Sequence, residues 1–533
     1  MSKPKGPMAQ AVLDAYARGE EDEALSPLVL TGTKGEAIGR IRHGDYVIFY
    51  DIRGEREVEL TEALTNPSFQ PFDNGGLKAH FVTMIEYHPK LDVQVAFPPQ
   101  GALVNSLVEV ASRAGLKILK LVETEKSIHL SFFLNGKREQ PFPNEERRFV
   151  ESLKVADYAE HPEMCIEEVR HSLVQALEED SHDLIVANYA NVDVIGHIEN
   201  RKAVQTAVEA VDRNVGAAVE AARRKGREVV ITADHGTVEK WYYPDGKVDT
   251  GHTTSPVPFI YVGEARCNGR PPALRAGGSL IDVAPTLLEI LGLAKPAEMT
   301  GTSLFDRRAG RIEFPKGRRK VLLLIADGWG YREADAINMI AQSNTPHMNR
   351  YMKERPWTTL AASGEAVGLP AGTVGNSEAG HMHLGAGRVV YSDRLEIDRA
   401  LADGTYFENP AFVWAIEAAK KTRRPLHLLG IVSFFSSHGS LNHLLPLMRM
   451  ARDRGVGELY IHSLLGRRGE RPEAGAGYIG DVEVECEKLG LGRVVTVIGR
   501  YWALDREYNW GRIEKTFRAL VHGEGRKVTG RAG

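Results

Sequence analysis

At 533 residues, 43% hydrophobic and 26% charged, the chain has the composition of a folded globular protein and is too long for one ordinary core, so at least two domains are expected. A formal net charge of -4 gives none of the basic excess of a nucleic-acid binder. Cys165, Cys267 and Cys486 stand far apart with no C-x-x-C pair, no apolar run has the length of a membrane span and the start lacks a signal peptide's apolar core, which together point to reduced thiols in the cytoplasm.

In chain order, residues 8–18 are expected to form a short amphipathic helix, followed by the acidic Glu20-Glu21-Asp22-Glu23, most simply a solvated turn. The run Y-V-I-F-Y-D at 46–51 reads as a strand that delivers Arg53 and Arg56 beyond its end. Strands follow at 81–85 and 93–97 before Pro98-Pro99 marks a boundary. From residue 102 helix and strand alternate: 102–114 then 116–121, 165–178 then 184–189, 203–225 then 228–233. Such alternation argues for an α/β fold with a doubly wound sheet of parallel strands. A further apolar helix is expected at 280–291, a charged surface linker at 306–320 and a buried strand at 321–326. Beyond residue 391 a second α/β region reads as helix 410–421, strand 426–432, helix 444–453 and strands 458–462 and 494–498.

Three apolar strands end alike: L-I-V-A-N-Y-A runs to Asp193, V-V-I-T-A to Asp234-His235 and V-L-L-L-I-A to Asp327. In open α/β sheets ligands bind beyond the carboxyl ends of the strands. One aspartate there is commonly a helix cap, but three gathered together repel and raise one another's pKa unless a divalent cation joins them. His197, four residues after Asp193, and His252 in G-H-T-T-S-P complete a mixed carboxylate and imidazole set that suits manganese or zinc better than magnesium or calcium. The glycine-rich segment 364–387 holds G-T-V-G-N-S-E-A-G-H, with Ser377 near its centre. The simpler reading of Ser377 is a helix N-cap. Beside a two-metal centre, and at a helix N-terminus that favours anions, the same hydroxyl is a candidate nucleophile.

The motifs that carry these residues resemble those of cofactor-independent phosphoglycerate mutase, of the alkaline phosphatase superfamily. They are A-D-G-W-G (326–330), G-N-S-E-A-G-H (375–381), G-A-G-R-V-V-Y (385–391), G-R-Y-W-A-L-D-R (499–506), E-T-E-K (123–126), N-V-D-V-I-G-H (191–197), A-D-H-G (233–236) and G-H-T-T-S-P-V-P-F-I (251–260). In that family the D-G-W-G strand opens the chain and the D-H-G and H-T-T blocks close it; here the closing half comes first, so the chain looks circularly permuted. The resemblance implies an alkaline-phosphatase-like metal-binding domain, continuous over 103–391, and an α/β substrate-binding lid made of 1–102 and 392–533. It implies that Ser377, Asp327, Asp234 and His235 hold one metal and Asp193, His197 and His252 the other, and that Lys126 contacts phosphate. Arg53, Arg56, Arg468, Arg500 and Arg506 match substrate-binding arginines, and His438 the histidine that acts on the substrate oxygen. The implied cofactors are two divalent ions, manganese first with magnesium, cobalt and zinc as alternatives, and no 2,3-bisphosphoglycerate. The implied reaction interconverts 3-phosphoglycerate and 2-phosphoglycerate through a phosphoserine on Ser377, in a monomeric cytoplasmic enzyme whose partner is a small phosphorylated carboxylate, with no nucleic acid and no membrane.

Departures cluster in the lid. Where the family has D-G-R-D-T-P-P, this chain has Gly469 in place of the aspartate that would hold the glycerate hydroxyl, and Asp51 and Gly54-Glu55 replace the usual asparagine and small-acidic pair around the arginines. Two rival expectations follow. One is a phosphomutase, phosphotransferase or phosphatase for a different small anion; the other is a non-catalytic binding protein, which would have no need of seven ligands.

Overall fold

The runs 184–189, 228–232 and 321–326 are mostly apolar, and the fold buries each of them completely. The structure, a computed structural model, describes residues 6–99, 101–155, 157–243, 245–434, 436, 438–466 and 473–530. The chain divides into two compact units, Gln100–Leu395 and a unit assembled from Met1–Pro99 and Glu396–Gly533.

In the unit Gln100–Leu395, β1 (Ile118–Glu123), β2 (Glu145–Val150), β3 (Leu184–Tyr189), β4 (Glu228–Thr232), β5 (Val257–Val262), β6 (Gly278–Ser279), β7 (Val321–Ala326) and β8 (Trp357–Ala361) form an eight-stranded sheet in the order β6-β8-β5-β4-β7-β3-β1-β2. From β4 to β2 the pairing is parallel, as the helix-strand alternation predicts. β5 runs antiparallel to both β4 and β8. Among the described residues the segment that joins β4 to β5 carries the short turn Val238–Lys240 and no crossover helix, so the chain re-enters the sheet from the end it left.

Four helices position the residues of interest: α1 (Ile166–Glu179), α2 (Asn191–Gly196), α3 (Arg201–Arg224) and α4 (Ser377–Ala386). α3 starts where the Asn200 side chain accepts a hydrogen bond from the Ala203 amide, and it ends on Arg223 and Arg224, whose charge suits a helix C-terminus. Its apolar stripe, which includes Val204, Val208, Val211, Val215 and Val219, is buried. At α4 the cap is Asn376, whose side chain accepts from the Ala379 amide at 2.9 Å; Ser377 is the first helical residue. Its hydroxyl is thereby released from capping. Gly387, at φ 62°, ends the helix in the left-handed region.

The other unit is a second eight-stranded sheet, in the order Arg526–Thr529, Leu28–Thr31, Arg493–Gly499, Leu459–Leu465, Leu426–Ile431, Tyr46–Phe49, His80–Ile85, Gln94–Phe97. Tyr46–Phe49 lies parallel to Leu426–Ile431, with Ile48 opposite Leu428, so one core is built from segments nearly four hundred residues apart. The helix Gly475–Leu489 belongs to this unit and was not evident from the hydrophobic pattern.

Two charged stretches differ from expectation. The acidic residues near position 22 are not simply a solvated turn: Asp22–Ala24 is a short 3-10 helix, and the Asp22 carboxylate accepts from the Tyr16 hydroxyl and from the Gly475 amide at 3.0 Å. The 306–320 segment is anchored rather than loose, because Ile312–Glu313 pairs with Arg266–Cys267 and Arg318 binds the Asp183 carboxylate through both Nε and Nη2 at 2.5 Å. Among the described residues no helix is long and apolar enough to cross a membrane.

Two outcomes follow from this packing. A Cβ at Gly385 would lie 2.0 Å from the Leu134 carbonyl oxygen, so Gly385→Ala should lower stability by about 1–3 kcal/mol through displacement of α4; a thermal melt of the variant checks this. All three cysteines are buried and unpaired, and burial pushes the Cys165 thiol up to about 11 and the Cys486 thiol up to about 12. Native protein at pH 8 should therefore take up thiol reagent only after denaturation, as a colorimetric thiol count will show.

Candidate metal centre

β4, β7 and β3 are neighbours in the sheet and run the same way, with Leu324 of β7 opposite Ile231 and Ala187. Their carboxyl ends therefore meet. Asp234 and His235 follow β4, Asp327 follows β7, and Asp193 sits in α2 directly after β3. The Asp193 amide donates to the Asp327 carbonyl at 3.1 Å. Gly328, at φ 80°, permits this approach, since a Cβ there would fall 2.8 Å from the Asp193 backbone. α4 brings in Ser377, held close because a Cβ at Gly380 would be 2.5 Å from the Asp234 carbonyl oxygen. The 3-10 turn Thr124–Lys126 after β1 supplies Lys126.

Lys126 Nζ lies at the centre of the cluster. It donates to Asp193 Oδ2 at 2.6 Å, Asp327 Oδ1 at 2.8 Å and Ser377 Oγ at 2.7 Å. On the other side of the hydroxyl, His235 Nε2 is 3.0 Å from Ser377 Oγ, and its Nδ1 is 3.2 Å from the Gly236 carbonyl. This leaves Nε2 as acceptor and Ser377 as donor to it. Asp193 Oδ1 is 3.1 Å from His252 Nε2 and 3.4 Å from His197 Nε2.

The electrostatics follow from burial and crowding. Burial raises Asp327, and the adjacent Asp234 carboxylate raises it further. Burial would raise Asp193 too, but Lys126 and hydrogen bonds from His197 and His252 hold it well below the usual carboxylate range. Burial disfavours charge on Lys126, yet Asp327, Asp193 and Asp234 together keep it above its ordinary value. One ammonium thus faces three buried carboxylates, and a cation deficit remains.

The donors fit divalent ions on their own chemistry. His197 Nδ1 donates to the Thr250 carbonyl at 2.7 Å and His252 Nδ1 to the Gly375 carbonyl at 2.8 Å, which turns both Nε2 atoms inward toward Asp193. Those two nitrogens are 3.1 Å apart, a repulsive arrangement unless a proton or a cation lies between them. Among the described residues the possible ligand groups are Asp193 with His197 and His252, Asp193 with His235 and Asp327, and Asp234 with Asp327 and His381.

The six carboxylate and imidazole ligands anticipated from sequence, with Ser377 and Lys126, all meet here. His381 was not anticipated as part of the cluster. It lies four residues after Ser377, on the same face of α4, with Nδ1 3.2 Å from Asp234 Oδ2, and that helical spacing was the available signal. Asn188, inside β3, donates to Asp327 Oδ2 at 2.8 Å; nothing in an apolar strand marked it.

The remaining anticipated residues belong to the other unit. His438 is buried, with Nδ1 2.9 Å from Glu57 Oε1. Arg53 and Arg506 both reach Glu55, at 3.2 and 3.0 Å, Arg56 donates to the Leu504 carbonyl at 3.2 Å, and Arg500 is 3.7 Å from Glu23. Arg468 and Gly469 lie outside the described residues.

A family model for the Metalloenzyme superfamily matches residues 11–295, more than half of the chain; the chain belongs to that superfamily. Residues 397–532 match a second model, described as BPG-independent PGAM N-terminus. Among curated relatives, the 2,3-bisphosphoglycerate-independent phosphoglycerate mutase of Listeria monocytogenes is 40% identical over 301 residues, covering 56% of this chain and 58% of its own. Its namesake in Pseudomonas aeruginosa is 43% identical over 293 residues, 54% of this chain and 56% of its own. The chain thus spans a little over half the length of the curated relatives it matches. A crystal structure of Leishmania mexicana phosphoglycerate mutase is 27% identical and covers 54% of this chain and 53% of that one, with a TM-score of 0.38.

Asn188 offers a direct test of the metal centre. Asn188→Leu keeps the volume but removes the donor that orients Asp327, and a lost partner of this kind typically costs about 10–100-fold in metal affinity. Titration calorimetry with manganese should show a loss in that range.

Proposed function

We propose that this chain is a two-metal phosphoryl-transfer enzyme that interconverts 3-phosphoglycerate and 2-phosphoglycerate through a phosphoserine on Ser377. The observation that carries the reading is the hydroxyl itself. Ser377 Oγ is buried at the first turn of α4, with the Lys126 ammonium at 2.7 Å and the His235 imidazole at 3.0 Å, in a cluster built from three strand-end aspartates. The names of the relatives point to the same chemistry.

Asp193, His197 and His252 would hold one divalent ion, and Asp234, His235, Asp327 and Ser377 the other, with manganese as the preferred occupant and magnesium, cobalt or zinc as alternatives. When bound, the ions supply Lewis-acid stabilisation of the phosphoryl oxygens and favour ionisation of the serine. Lys126 orients Ser377 and offsets the negative charge that gathers as phosphate enters. Ser377 attacks phosphorus and takes the phosphoryl group from the 3-oxygen; glycerate stays bound, reorients and accepts the group on its 2-oxygen. No 2,3-bisphosphoglycerate is needed, because the enzyme itself carries the phosphoryl group. The arginines Arg53, Arg56, Arg468, Arg500 and Arg506 would bind the phosphate and carboxylate of the substrate, for which a guanidinium fork is suited.

The circular permutation belongs to this reading. Two facts support it: a model described as an N-terminus matches residues 397–532, behind the superfamily match at 11–295, and the second sheet is assembled from both parts of the chain. The buried Asp51, where the family has asparagine, favours a second reading in which the lid accepts a different phosphorylated anion.

The experiment is to incubate the manganese-loaded protein with 3-phosphoglycerate and follow 2-phosphoglycerate and free phosphate separately. The expected outcome is 2-phosphoglycerate, loss of turnover on chelation, and a fall of at least about 10⁴-fold in Ser377→Ala with an unchanged melt. Phosphate release without isomerisation selects the second reading. Substantial activity in Ser377→Ala sinks the phosphoserine mechanism.

A further inference from the structure

The histidine expected to handle the substrate oxygen, His438, is not alone. Its Nδ1 is 2.9 Å from Glu57 Oε1, and both side chains are buried, Glu57 at 0% and His438 at 3% exposure. Glu57 opens the helix Val58–Thr65, its carbonyl accepting from the Thr61 amide and, at 2.7 Å, from the Thr61 hydroxyl, while Glu57 Oε2 accepts from the Arg56 amide at 3.0 Å. His438 accepts at its carbonyl from the Ile52 amide, and its own amide donates to Ser436 Oγ at 3.0 Å. The segment that carries Glu57 is thus tied to His438 by a backbone bond as well as by the side-chain contact.

We infer that Glu57 is a positioning residue for the acid-base group of the lid: the Glu57–His438 pair, rather than His438 alone, carries the proton that moves between the substrate oxygens. The inference rests on the mutase reading above and adds a residue to it. The physical argument is one of charge. The groups that act on the pair are the guanidiniums of Arg53, Arg56 and Arg500, the carboxylates of Asp51 and Glu55, and the buried Tyr87 phenol, which donates to the Asp51 carbonyl at 2.7 Å. In this setting burial, then Arg500, Arg53 and Arg56, push the His438 imidazole down to about 4. By itself it would be neutral at pH 7, with neither ring nitrogen assigned to hold the hydrogen. Burial pushes Glu57 up to about 8, so the pair holds two protons at neutral pH, one on Nε2 and one between Nδ1 and Oε1.

That state matches what the transfer requires. In the first half-reaction Ser377 Oγ, as the alkoxide, bonds to phosphorus, the bond from phosphorus to the 3-oxygen breaks, and the departing oxygen takes the Nε2 proton. Glu57 is then ionised against Nδ1–H, and Nε2 is a base. In the second half-reaction the 2-hydroxyl gives its proton to Nε2 as its oxygen bonds to phosphorus and the bond to Ser377 Oγ breaks. The pair ends with the two protons it began with, and Ser377 ends as the alkoxide.

Glu57→Gln in the full, manganese-loaded chain tests this, because the amide keeps both the volume and an acceptor for Nδ1–H while removing the ionisable proton. The expected result is a fall in kcat of about 10²-fold with KM within about threefold. The alkaline limb of the pH profile should move to lower pH by about one unit or more, and Glu57→Asp should move it back toward the wild-type position. A kcat loss with an unmoved alkaline limb would reduce Glu57 to a structural role, and an unchanged kcat would remove it altogether. Nitrogen-15 spectra of the histidine rings, with His438 identified by its absence in His438→Gln, give a readout independent of turnover. The His438 titration should be coupled to a second group in the wild type and uncoupled in Glu57→Gln. Wild-type protein that turned over no 3-phosphoglycerate would overturn the mutase reading, while the pair would stand or fall on the ring titration.

Discussion

Three carboxylates buried within a few ångströms of one another are the constraint on which the metal-binding unit depends. Asp193, Asp234 and Asp327 are brought together by the parallel register of three adjacent strands, and sheet pairing cannot place them elsewhere without breaking that register. Their repulsion has to be answered by cation. Lys126 supplies one charge, and the imidazoles around Asp193 are aimed so that their Nε2 atoms face inward. The glycines at 328 and 380 let the flanking backbone approach closely enough to complete the cluster. Sheet, turn and helix here share one geometric task, which is to make a site that is stable only with positive charge inside it.

The two units divide the chemical work by charge type. One concentrates carboxylates and imidazoles at strand ends; the other presents arginines over buried acids. In the second unit the acids Asp51 and Glu57 are buried, and burial raises both. Buried acids of this kind stay protonated at pH values where exposed ones do not.

Legibility in the sequence followed the strength of the local signal. The strands at 184–189 and 321–326 were readable to the residue because mostly apolar runs ended shortly before an aspartate, and the gathering of candidate ligands was readable because those aspartates recurred with histidines at short spacing. The cap of α4 was misplaced by one residue, since Asn376 and Ser377 are both good caps and only the structure shows which side chain reaches the Ala379 amide. The antiparallel direction of β5 was not foreseen, because its apolar run looks the same in either direction. Asn188 and Glu57 were missed for a common reason: each contacts a partner remote in sequence, Asp327 in one case and His438 in the other. Position 469, the clearest departure from the family's lid motif, lies outside the described residues, so the reading of that loop stands on sequence alone.

Within the sheet, the strand Leu28–Thr31 pairs with two strands from the far part of the chain, Arg493–Gly499 on one side and Arg526–Thr529 on the other. During synthesis it leaves the ribosome before either of those strands, and the residues of the intervening unit are made first. The early segment must wait for these sheet partners for nearly the whole length of translation. The order of segments along this chain therefore lets the residues of Gln100–Leu395 be complete before the sheet that joins the two outer parts can close.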